Sequence, residues 1–445
     1  MAKAHSRLHT METFLLWFLG ASLCLDAPSA RAFNEYDSWT KAIGQFLFLG
    51  FKELFNIPIP FTPFELLSYG SLFAILCLWG TQRAHFWKVT VGVAVLVPLA
   101  GVWAWVSGVA RGNEMALAFT QFHFIPLIPV WLALGYFMGL RPSNNLRIYR
   151  IFFWVMFVKC FYALCIYTFI YNMDMGTREY LIDHPTSIYI VCGMLYGFWQ
   201  LLRADVALER KFFYAFALLI MGTAYIINDR RASYAGIIIA VLLVPMLLPH
   251  RLRRDVWTFY KIGIAAAAII MGFFAIDASN PYSFSGGLKS ELTASDSLSY
   301  RHIENFNLLS GVVLEPILGI GFGKEYPQVM QLPDISGTFS LFAAIPHNTL
   351  FFLWTYAGPI GIGCFATLLW MSMILIIRCG VWARSSNQLF YAILAHFLTA
   401  QWVMFVFFDM GLLEVRSLMV FGLVVGSLYP QYARHIKEYY DENLA

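Results

Sequence analysis

Charge is scarce in this chain: only 13% of its residues are Asp, Glu, Lys or Arg, against 59% hydrophobic and 18% aromatic. That balance excludes an ordinary water-soluble domain and a disordered chain alike. Thiol chemistry is also thin, because the 7 cysteines fall in or beside apolar runs with no Cys-x-x-Cys pair among them. Neither a disulfide framework nor a thiolate metal site is indicated. No His-Glu-x-x-His segment and no carboxylate cluster occurs, so neither a metal nor any other cofactor is expected. A formal net charge of only +4 over 445 residues gives no reason to expect a nucleic-acid partner.

What is abundant is apolar sequence in long runs, with a mean hydropathy of +0.64. A hydrocarbon core about 30 Å thick needs roughly 20 apolar residues per helix. Backbone polar groups in lipid must be satisfied internally, so the runs should be helices. The expected fold is all-α, a polytopic membrane bundle. Spans are predicted at 13–25, 65–80, 89–107, 115–140, 151–172, 187–202, 212–228, 232–249, 257–276, 347–377, 388–408 and 412–430, about twelve in all. The first run follows Lys3 and Arg7 and precedes Ala30-Arg31-Ala32, a pattern that also fits a cleavable signal peptide; it is read here as a retained helix. Ile43 to Phe55 reads as an amphipathic helix lying in the interface.

The basic residues set the orientation. Arg141, Arg147 and Arg150, then Arg203, Arg210 and Lys211, then Arg251, Arg253 and Arg254 crowd alternate connections, which the positive-inside bias assigns to the cytoplasm together with both termini. The polar stretch 277–346 is then expected to face the opposite side, which in a bacterium means the periplasmic face of the inner membrane. The chain divides into N-terminal helices (1–209), a central region containing the polar stretch (210–377), and C-terminal helices with a cytoplasmic tail (378–445).

Three places could carry chemistry. Arg230 and Arg231, in Asn228-Asp229-Arg230-Arg231, stand at an outer helix mouth, against the positive-inside bias, where guanidinium forks match phosphate oxygens; the plain alternative is snorkelling to lipid headgroups. Arg301 and Glu304 lie on a predicted surface helix capped by Ser295 or Asp296, with Tyr300, Ile303, Phe306, Leu309 and Val313 at helical spacing. That apolar face should rest on the bundle or the bilayer, and the structural alternative for Arg301 and Glu304 is an i,i+3 ion pair. His347 and Asn348 follow Pro346 at the mouth of a long apolar helix, where the partial positive charge of the terminus suits a neutral, proton-accepting imidazole and attracts phosphate. The Gly319-Ile320-Gly321-Phe322-Gly323 run has no βαβ context and is read as a tight turn closing the surface helix. His184 and Arg416 are further binding candidates near outer helix mouths, and His396, inside a span, needs a partner.

Together, Asn-Asp-Arg-Arg at a helix mouth, Ser-x-x-x-Arg followed by Pro-x-x-Gly-x-Gly-x-Gly, and Pro-His-Asn before a helix that reaches Gly-Pro-x-Gly resemble the O-antigen ligase and polymerase superfamily over about residues 210 to 377. The resemblance implies a metal-independent membrane glycosyltransferase that moves a glycan from an undecaprenyl-diphosphate carrier, held among membrane lipids, to a lipid A core or other glycan acceptor. It implies that Arg301 and an arginine of the pair, Arg231 favoured over Arg230, grip the diphosphate, and that His347 orients or deprotonates the acceptor hydroxyl. Asn348, Glu304, Arg416 and His184 are then binding residues. The family pattern shows one arginine where this chain has two. The rival reading from another class is a polysaccharide or lipid-linked oligosaccharide transporter, which predicts charges lining a path through the bundle; a scaffold is the third.

Overall fold

The computed structural model describes residues 2–26, 39–51, 61–78, 95–170, 173, 181–183, 185–228, 230–249, 252–253, 261, 296–335, 341–408 and 414–444. Each predicted apolar run that falls within them folds as α-helix, and no strand occurs among them. In chain order the helices are α1 (Ala2–Cys24), α2 (Trp39–Phe48), α3 (Pro63–Leu78), α4 (Leu96–Ala110), α5 (Met115–Phe122), α6 (Leu127–Gly139), α7 (Pro142–Phe169), α8 (Thr186–Leu202), α9 (Leu208–Ile227), α10 (Arg231–Leu247), α11 (Asp296–Leu314), α12 (Thr349–Val381), α13 (Ser386–Phe408) and α14 (Val415–Leu444).

Five segments are long and apolar enough to cross a membrane: Met115–Gly139, Pro142–Phe169, Leu208–Ile227, Thr349–Val381 and Ser386–Phe408. Shorter apolar helices, among them Pro63–Leu78, Leu96–Ala110 and Thr186–Leu202, pack beside them. The predicted span 115–140 is broken by a turn at 123–126, where Pro126 lacks the N–H that would continue the ladder. The expected span 257–276, apart from residue 261, and the stretch 277–295 lie outside the described residues, as does 52–55 of the predicted interfacial helix.

The tightest seam joins α6 to α14. Each carries a Gly-x-x-x-Gly pair, Gly135/Gly139 and Gly422/Gly426, and the glycines face one another so closely that a Cβ on Gly135 would stand 2.6 Å from the Gly422 carbonyl oxygen, and one on Gly422 2.6 Å from Trp131 Cβ. Small residues let helix backbones touch where lipid offers no hydrophobic drive to association. Elsewhere α7 packs on α8, α10 on α13 and α12 on α13.

Cross-links show which helix ends lie together. At one end Arg416 reaches the Leu25 carbonyl and Asp183, Asn228 accepts from the Ile182 N–H, and Ser233 bonds Gln401. At the other, Arg141 bonds Glu12 and Arg378 bonds the Tyr432 hydroxyl. The start of α10 and the ends of α1 and α13 therefore share one end with the start of α12, because α12 and α13 are joined by a short connection and pack side by side.

The predicted apolar stripe of α11 is divided between two faces. Tyr300, Glu304, Asn307, Leu308 and Gly311 form its buried face, whereas Phe306 is 48% and Val313 79% exposed. The stripe therefore splits: Tyr300 and Ile303 pack inward against the core, while Phe306, Leu309 and Val313 turn outward. The reason is that Glu304 and Asn307 find hydrogen-bonding groups inside: Asn307 exchanges two bonds with the Met330 backbone at 2.7 and 2.8 Å.

Candidate functional site

The site is built on the start of α12. Asn348 has an extended backbone and its Oδ1 accepts the Phe351 N–H at 3.1 Å, the N-cap role for which Asn is among the best residues. Ten residues on, Gly358 adopts a left-handed φ of 65° just before Pro359, and α12 kinks. Proline cannot donate to the carbonyl four residues back, which leaves Thr355 without its helical partner. The glycine run takes it up: Ile320 N–H bonds the Thr355 oxygen at 2.8 Å and Gly321 N–H the Tyr356 oxygen at 3.0 Å.

On its other side that run lies against α4. Phe322 N–H bonds the Ala104 oxygen at 2.9 Å, Arg111 donates to the Gly319 oxygen at 2.8 Å, and Asn113 to that of Phe322 at 2.9 Å. Gln121 accepts from Gly323 N–H at 2.7 Å and donates to the Ala344 oxygen at 2.7 Å. The three glycines all have positive φ, as a turn requires. The run is more than the expected turn, since it is a strap clamped between α4 and the kink of α12. It fixes the chain between α11 and His347.

Against this frame α11 presents Glu304. Its carboxylate is 1% exposed; one oxygen accepts the His347 backbone N–H at 3.1 Å and the other lies 3.0 Å from His347 Nδ1. In the neutral ring the hydrogen-bond network assigns the proton to Nδ1, where it meets the carboxylate, and the lone pair to Nε2. Nε2 makes no hydrogen bond among the described residues. A buried carboxylate that orients an imidazole in this way is a recurring device for general-base catalysis. Tyr300, one turn before Glu304, sets its ring edge against the imidazole, with centroids 5.6 Å apart and planes at 81°.

Arg301 and Glu304 do not pair with each other. The half-buried Arg301 donates from Nη1 to the Phe408 carbonyl at the end of α13, so the i,i+3 alternative is not what forms. Arg230 is the N-cap residue of α10 and Arg231 its first residue. Their helix is tied to α13 through Ser233 Oγ, 2.6 Å from Gln401 Oε1, and Gln401 Nε2, 2.9 Å from the Ser233 oxygen. Gln401 and Phe408 are seven residues apart on α13, about 10 Å along its axis. One helix thus carries the contacts of both arginine-bearing elements.

Arg416 is placed differently. It is wholly buried, with Nε 2.5 Å from Glu414, Nη1 2.8 Å from the Leu25 oxygen and Nη2 2.6 Å from Asp183. Lys159 adds an ion pair to Asp26 at 2.7 Å and lies 3.7 Å from Asp183. Burial alone would push the Asp183 carboxyl up, but Arg416, Lys159 and hydrogen bonds from Thr186 and Arg416 outweigh it and hold the group well below the ordinary carboxylate range. Arg416 therefore pins α1, the 181–185 segment and α14 together, with its donors turned to protein acceptors. His184 lies outside the described residues. His396 finds the partner it needs in the Ala240 carbonyl, 3.0 Å from Nε2.

Residue patterns missed three things. Lys159 and Asp183 sit in a span and a loop with no motif around them. His123, in the break between α5 and α6, pairs at 2.6 Å with Glu65, which is fully buried and forms a capping box with Thr62; the Thr-x-x-Glu spacing before an apolar run was the available signal. Glu304 was legible as a site residue, but its hold on His347 was not. Among the described residues no three His, Cys, Asp or Glu side chains gather as metal ligands. A scan of the chain against protein-family models finds no match, and a search of curated proteins finds none either.

Proposed function

We propose that the chain is a glycosyltransferase of the O-antigen ligase or polysaccharide polymerase type. It moves a glycan from an undecaprenyl-diphosphate carrier to a sugar hydroxyl at the periplasmic face of a bacterial inner membrane that it crosses about twelve times. The observation that carries this reading is the His347 imidazole held through Nδ1 by the buried Glu304 carboxylate, on the same helix as Arg301. In the reaction the acceptor hydroxyl gives its proton to His347 Nε2, and its oxygen bonds to the anomeric carbon. The bond from that carbon to the diphosphate oxygen breaks, and its electron pair leaves with the diphosphate. Arg301 and one of Arg230 and Arg231 bind the departing charge, a role in which fixed cationic donors are worth most.

Deleting the gene tests the proposal. One cell-surface glycan should disappear, return with the wild-type protein, and stay absent with His347→Ala or Arg301→Ala at equal membrane abundance. Added chelator should leave the wild-type reaction running, because the arginines occupy the role of a cation. An unchanged glycan profile in the deletion strain refutes the reading. Carrier-linked glycan accumulating on the cytoplasmic side would identify a transporter instead.

A further inference from the structure

Beside the His347 imidazole lies a polar group that no described residue uses. Tyr300 is 9% exposed, yet its hydroxyl has no hydrogen-bond partner among the described residues. Two other buried tyrosines nearby are satisfied: Tyr326 donates to the Phe342 oxygen at 3.0 Å, and Tyr356 to those of Lys324 and Ala344 at 2.9 and 3.1 Å. Buried hydroxyls are paired in the large majority of cases, and an orphan is destabilising. Phenylalanine would fill the same space without that penalty. The ring already has a packing role against His347, so packing does not account for the oxygen.

We infer that Tyr300 is a substrate-binding residue, and that its hydroxyl hydrogen-bonds a sugar hydroxyl of the acceptor next to the one that His347 deprotonates. This rests on the glycosyl-transfer reading. Three features support it. Tyr300 stands one helical turn from Glu304, so the element that orients the base also sets the phenol. Nε2 of His347, which makes no hydrogen bond among the described residues, belongs to the same imidazole that the Tyr300 ring packs against, and adjacent hydroxyls of a sugar ring suit one proton acceptor and one hydrogen-bonding group placed side by side. Burial first, and the Glu304 charge second, push the phenol up from its ordinary range, so at neutral pH it keeps its proton and can donate.

The test uses the full-length protein in native membranes, with carrier-linked glycan as donor and acceptor glycan both isolated from the strain that makes it. Tyr300→Phe keeps the ring on His347 and removes the oxygen. The expected result is about a ten-fold rise in KM for the acceptor, the effect of one hydrogen bond lost to a substrate, with donor KM unchanged. The purified variant should melt at or above the wild-type temperature, because an unsatisfied buried group has been removed. Wild-type acceptor KM and kcat in Tyr300→Phe overturn the inference, as does a lower melting temperature, which would show that the hydroxyl has a structural partner. If the wild-type protein transfers nothing, the functional reading falls and the inference with it; an active wild type beside a fully active Tyr300→Phe removes the inference alone.

Discussion

Replacing Glu304 by Gln isolates what the buried carboxylate does for His347. The carboxylate accepts two bonds from one residue, the backbone N–H at 3.1 Å and Nδ1 at 3.0 Å, and an amide of the same shape can accept only one of them. If the amide oxygen keeps the backbone N–H, its NH₂ group faces Nδ1, and the imidazole must put its proton on Nε2 to accept from it. The nitrogen needed by the acceptor is then blocked. Loss of a general base is worth about 10²–10⁴ in rate, so transfer should fall by that factor. The structural effect should be modest, about 1–3 kcal/mol for one charge-assisted bond made neutral. Glu304→Asp, which keeps the charge on a shorter stem, should recover part of the rate. The assay is glycan transfer per unit of membrane protein, read beside the melting temperature. Transfer by Glu304→Gln within roughly three-fold of wild type, at normal abundance, would refute the argument that this carboxylate sets the tautomer of a catalytic base.

Arg301→Lys should lose activity nearly as fully as Arg301→Ala while abundance stays near wild type, because lysine lacks the planar fork that binds a diphosphate through two parallel bonds; full activity in the Lys variant would reduce Arg301 to a point charge. At the α6/α14 seam, Gly139→Ala and Gly426→Ala should each destabilise by about 1–3 kcal/mol or more, whereas Gly222→Ala, with open space around its Cα, should leave the melting temperature unchanged. Equal effects would refute the close-approach account. Asp183→Asn should cost about 3–5 kcal/mol at neutral pH, as removing one member of a buried ion cluster does. Because Asp183 is held below the ordinary carboxylate range, its contribution is present above about pH 4 and is lost as pH falls further. Wild type and variant should therefore converge in stability on acidification, and a pH-independent difference would contradict this.

Composition and local pattern alone determined the helical class, most helix positions, and the residues at the helix mouths. Each of these is a short-range property: an apolar run needs internally satisfied backbone whatever surrounds it, and Pro346 with Asn348 marks a helix start without reference to the rest of the chain. Tertiary structure decided the partners. Glu304 and His347 are 43 residues apart, and Arg416 and Asp183 233, and no periodicity links such pairs. The face of α11 that turns inward was likewise set from outside the helix. Its apolar spacing left the bundle and the bilayer both open, and the backbone of Met330 and the imidazole and N–H of His347 offered hydrogen bonds to Asn307 and Glu304. A carboxylate or amide that can be fully paired inside is buried in preference to apolar side chains that can face lipid.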